Sequence, residues 1–122
     1  MGWGAVQGHE CTLRKLAIGD DAYLGSLIAS EPANVVESRL DLKTHALVRI
    51  GALIAVDAPA PSYLEAVDAA RKSDTSDQEI VGCLVAVLPE LGDARAVSAA
   101  PKLGLALGYD VAAALEESLP EI

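Results

Sequence analysis

A chain of 122 residues has room for one helical core. The chain is 52% hydrophobic but only 3% aromatic and has no Phe, so Ala, Val, Leu and Ile must build that core. The formal net charge of −9 repels phosphate backbones and anionic headgroups, which excludes nucleic acid and membrane surfaces as expected partners. The alanine content favours closely packed helices over a sandwich of β-branched strands.

Residues 1–19 contain four of the glycines, mixed charge and weak periodicity. They read as an N-terminal arm with a helical turn at Thr12–Ala17, ahead of a single domain over residues 20–122. Asp20 and Asp21 can cap a first helix, Ala22–Ser30, closed by Pro32, with a loop following to Leu40. Asp41 is the N-cap of a second helix, Leu42 to about Val56. Leu47, Val48, Ile50, Leu53, Ile54 and Val56 cover most of its circumference. A helix apolar all round must be covered on all sides. In so short a chain a second copy is the expected cover.

Pro59 and Pro61 break that helix, and a third runs from Pro61 or Ser62 to Lys72 or Ser73. Tyr63, Ala66, Val67 and Ala70 form its apolar stripe, and the two helices are expected to form an antiparallel hairpin. Ser76-Asp77-Gln78-Glu79 is a capping-box sequence opening a fourth helix, Asp77 to about Leu88. Ile80, Val81, Leu84, Val85, Val87 and Leu88 make it a second helix without a clear polar face. A fifth runs from Asp93 to about Leu107, with Pro101 expected to kink it and Gly108 to cap it. Asp110 then caps a last short helix, Val111–Leu119. No segment alternates as a strand does, so the fold class is all-α with about five to seven helices.

Little in this pattern carries chemistry. His45 and Arg49 stand one turn apart on the apolar second helix. A buried cation must find a partner. Either the two residues line a small pocket, Arg49 gripping a carboxylate and His45 moving protons, or Arg49 pairs with Asp57, Glu79 or another acid. Arg95 invites the same two readings, with a salt bridge the expected one. The two cysteines, Cys11 and Cys83, match no metal or redox spacing, and Cys83 lies in an apolar run where a thiol serves as a small hydrophobe. No Gly-rich nucleotide loop and no zinc spacing occur, so no cofactor and no metal are expected. No leader pattern opens the chain. Its most apolar stretch, Ala46–Val56, is too short for a bilayer and carries Arg49, so a cytoplasmic protein is the expectation.

The order of segments resembles a known family. Leu40-Asp41-Leu42-Lys43-Thr44-His45-Ala46-Leu47-Val48 is similar to the L-D-x-K-T-R-E-L opening of the carboxymuconolactone decarboxylase-like family, which includes the alkylhydroperoxidase D proteins. Ser62–Ser73 falls where that family has a helix-turn-helix, and Asp74-Thr75-Ser76-Asp77-Gln78-Glu79-Ile80 resembles its G-A-T-x-x-E-I turn. The tail from Ala94-Arg95 through Ser98-Ala99-Ala100-Pro101 to Leu107-Gly108-Tyr109-Asp110 is similar to one branch of it. The resemblance covers about residues 20–116. It implies an all-helical fold and assembly into trimers or hexamers.

The resemblance does not carry the family's redox chemistry. The family's proton-relay Glu falls on Ala46, its two cysteines on Pro59 and Ser62, and its His on Ala66, so thiol peroxidase activity is not expected. The first functional expectation is a non-redox helical oligomer with a small-molecule pocket or an assembly role. The alternative is a lyase or decarboxylase acting on a small carboxylic acid or lactone through His45 and Arg49. A weaker alternative is an accessory subunit of an active paralogue.

Overall fold

The computed structural model describes residues 8–110 and Glu116. Among these residues all regular structure is helical, in seven helices, which is the all-α class expected from the sequence. The chain packs as two compact units, Met1–Leu40 and Asp41–Ile122.

The first unit holds α1 (Gly8–Ala17), α2 (Asp21–Ala29) and α3 (Glu31–Ser38). Asp20 caps α2, its carboxylate accepting from the Tyr23 amide. Two expectations need correction here. The helical turn foreseen at Thr12–Ala17 starts earlier, at Gly8. The stretch foreseen as a loop to Leu40 is α3. Pro32 was read as a stop, but it lies in the first turn of α3, where its missing amide would have had no intrahelical partner anyway. Ser30 makes the junction. It ends α2, and its hydroxyl accepts from the Ala33 amide to begin α3. The Tyr23 hydroxyl donates to Glu37, and Asn34 Nδ2 donates to the Leu27 carbonyl, so α2 and α3 are also tied by side chains. None of the three helices has a buried residue within this unit.

The second unit holds α4 (Leu42–Ala55), α5 (Ala60–Lys72), α6 (Asp77–Leu91) and α7 (Asp93–Leu107). Each of the four packs chiefly on two others: α4 on α5 and α6, and α7 on the same pair. The boundaries follow from local chemistry. The Asp41 carboxylate accepts from the Thr44 amide at 2.7 Å and starts α4. At α6 the expected capping box is complete, with the Ser76 hydroxyl accepting from the Glu79 amide and the Glu79 carboxylate accepting from the Ser76 amide. Gly108, at φ +91°, closes α7 in a left-handed conformation that a side chain would disfavour. Two prolines, Pro89 and Pro101, lie inside α6 and α7, and α6 continues past Pro89 to Leu91 rather than ending near Leu88. The expected last helix, Val111–Leu119, lies outside the described residues apart from Glu116.

The core runs through this second unit. Ile50 and Ile54 from α4, Tyr63, Val67 and Ala70 from α5, Ile80 from α6, and Ala99 and Leu103 from α7 are all at most 1% exposed. The stripe Tyr63, Ala66, Val67, Ala70 is buried as its spacing required. Ala66, Ala70 and Ala99 let the backbones of α5 and α7 approach closely, and among the described residues Tyr63 is the one aromatic ring in the core. Polar ties hold the helix ends. Arg71 binds Asp77 through two nitrogens, at 3.0 and 3.1 Å, and donates to the Leu107 carbonyl at 2.9 Å, joining α5, α6 and α7. Lys43 pairs with Glu79 and joins α4 to α6. No helix among the described residues is long and apolar enough to cross a membrane.

Candidate functional site

The second unit does not bury all of its apolar surface. Between α4 and α6 lies an open cleft of about 720 Å³. It is lined by Leu47, Val48, Gly51 and Ala52 from α4 and by Gly82, Cys83, Ala86 and Val87 from α6, with Glu79 at one end as its one ionisable carboxylate. The helices are separated there by small residues, and the side chains that remain are aliphatic. Val48 is 58% exposed beside the cleft, and Val85 on the next turn of α6 is 63% exposed. A second cleft of about 430 Å³ runs between α6 and α7, lined by Val81, Leu84, Leu103, Gly104, Leu107 and Tyr109 among others. These clefts are where the expected wholly apolar character of α4 and α6 appears: each helix has one buried edge and another that stays exposed among the described residues.

Cys83 sits within the first cleft, half-buried, its thiol donating to the Leu47 carbonyl at 3.1 Å. Burial pushes the thiol's pKa up. It is therefore protonated at neutral pH and a poor nucleophile, which agrees with its reading as a small hydrophobe.

His45 and Arg49 are both half-buried on α4, one turn apart, but they line neither cleft. The Arg49 guanidinium faces Glu65 of α5 at 3.8 Å, so among the acids the sequence left open, Asp57, Glu79 or another, it is one from the neighbouring helix. The positions onto which the family resemblance maps its redox groups carry none. Ala46 and Ala66 are buried core residues, and Pro59 and Ser62 flank the start of α5. No group of three or more metal-ligating side chains occurs among the described residues.

The most developed polar arrangement centres on a residue the sequence reading used only as a possible partner for Arg49. Asp57 stands at φ +54° in the turn between α4 and α5, a conformation that Asp tolerates better than most residues. Its Oδ1 accepts from the Ser98 hydroxyl at 2.6 Å and from Lys102 Nζ at 3.1 Å, and its Oδ2 faces Arg95 at 3.2 Å. Lys102 also donates to the Ala58 carbonyl. Arg95 thus forms the salt bridge expected of it. The Ser98 hydroxyl and the Lys102 ammonium hold the Asp57 carboxyl below the usual carboxylate range, with Arg95 adding to the effect. Tyr63 is fully buried, with no hydrogen-bond partner for its hydroxyl. Burial raises its pKa, and the charges of Asp57 and Arg95 both reach it. Arg95, Ser98 and Lys102 follow an i, i+3, i+7 spacing, so they share one face of α7, and that polar stripe was the one signal in the sequence that could have pointed here.

No family model, no curated protein and no solved structure matches this chain.

Proposed function

We propose that this chain is a self-assembling helical protein whose α4–α6 face packs against another copy of itself. The observation that carries the reading is the cleft between those helices, apolar along its length and bordered by an exposed Val48. Its glycines add support. A Cβ placed on Gly51 would meet Val87 and Cys83 at 3.5 and 3.6 Å, an ordinary contact, and one placed on Gly82 would meet nothing within 4 Å. Packing inside one copy therefore does not require either glycine, although a glycine inside a helix costs about 1 kcal/mol relative to alanine. A neighbouring helix from a second copy gives the bare backbone a use, because small residues let two helices approach closely. The order of segments over residues 40–110 supports placing the protein as a divergent, non-redox relative of the carboxymuconolactone decarboxylase-like proteins, with a trimer or hexamer as the assembly.

Sedimentation velocity at micromolar concentration tests the assembly. The wild type is expected to sediment as an oligomer. Val48→Glu changes an exposed side chain and should leave the fold intact, but it sets a charge in the shared apolar face. It should raise the concentration needed for assembly at least tenfold. A wild-type protein that stays monomeric at tens of micromolar, or a Val48→Glu protein that assembles unchanged, refutes the reading.

A further inference from the structure

We propose that the Arg95–Ser98–Lys102 face of α7 is a binding site for a small carboxylate, and that Asp57 occupies it as a built-in stopper. Three side chains on one helical face converge on a single carboxylate, one from each of two basic residues and one hydroxyl. The two oxygens of the carboxylate are divided among them, Ser98 and Lys102 on one and Arg95 on the other. Such a cradle recognises the carboxylate group and not the chain that bears it. The group now in it comes from the short turn between α4 and α5, so a free carboxylate of the same shape competes with a tethered one.

Without Asp57 the cradle carries two positive charges and no negative one, in a chain whose net charge is −9. Local attraction for an anion there runs against the repulsion of the whole molecule. The side chains of Arg95, Lys102 and Asp57 are 35%, 29% and 39% exposed, so solvent and a small solute reach the site. A tethered competitor acts at an effective concentration on the order of millimolar, and it weakens the apparent affinity of a free ligand by the ratio of that concentration to the tethered group's own dissociation constant. This site is separate from the α4–α6 face and does not depend on the assembly reading.

The test uses the full chain, labelled for amide NMR, titrated with sodium acetate and with sodium chloride at equal ionic strength. Acetate should shift the amides of Asp57, Ala58, residues 95–100 and Lys102 saturably, and chloride should not. Asp57→Ala should bind acetate at least tenfold more tightly than the wild type, because the competitor is gone. Lys102→Gln in that background should lose most of the gain. If Asp57→Ala does not fold, Asp57→Asn replaces it, since its amide oxygen still accepts from Ser98 but no longer carries the competing charge. Equal responses to acetate and chloride in wild type and variant overturn the proposal. So does an acetate affinity that the Asp57 substitution leaves unchanged.

Discussion

Replacing Tyr63 with Phe should stabilise the protein. Tyr63 is fully buried, and its hydroxyl has no hydrogen-bond partner. Its pKa is raised by burial and by Asp57, so the phenol is protonated at neutral pH and is a donor without an acceptor. Leaving such a group unpaired costs about 1–3 kcal/mol of desolvation. Phe retains the ring, and with it nearly all of the apolar contact with the α4–α7 core. What is lost is the volume of one oxygen, a smaller void than a methyl group leaves, which offsets part of the gain. The net expectation is a gain of about 1 kcal/mol, or a rise in Tm of about 4–8 °C for a unit of this size. Urea unfolding at one fixed protein concentration gives the cleaner measurement, because the proposed assembly would make Tm depend on concentration. The midpoint should rise with the slope unchanged. A variant less stable than the wild type by more than about 0.5 kcal/mol would show that the hydroxyl is satisfied in the folded protein, and the reasoning from an unpaired donor would fail.

Three further outcomes are expected. Glu79 is held at a pKa of about 2, by Lys43 first and the Ser76 amide second. Its folded pKa lies below the unfolded value near 4.5, so its stabilisation is complete above about pH 4.5 and is lost as pH falls towards 2. Denaturant unfolding across that window should show the decline, and Glu79→Gln should flatten it. Gly51→Ala should stabilise the isolated protomer by about 0.5–1 kcal/mol, since the added Cβ meets only ordinary contacts, while weakening assembly in sedimentation. Peroxide consumption with a dithiol reductant should be negligible and identical in the wild type and the Cys11→Ser, Cys83→Ser double variant, because the Cys83 thiol is pushed up in pKa by burial. Turnover that disappears in the double variant would contradict this.

The helices of the second unit were legible residue by residue, because their signals are local. Asp41, the Ser76–Glu79 box and Gly108 act on backbone groups within three or four residues of themselves, and the Tyr63–Ala70 stripe follows from the helical repeat alone. The same local logic failed at Pro32, where one residue type signals both the end of one helix and the first turn of the next. Only the backbone path at Ser30 distinguishes the two.

The polar cluster was not legible for a different reason. Asp57 and Lys102 are 45 positions apart, and nothing in the spacing of either residue foretells that a left-handed turn will set that carboxylate against Arg95, Ser98 and Lys102 of α7. The acid opposite Arg49 was expected but could not be singled out for the same cause, since Glu65 is brought there by the packing of α5 on α4 and not by sequence distance. Composition and periodicity determined that this protein is a bundle of alanine-rich helices with more apolar surface than one copy buries. Tertiary structure decided which faces stay open and which charges meet, because helix propensity and capping act over a single turn whereas contacts between helices depend on how whole elements pack.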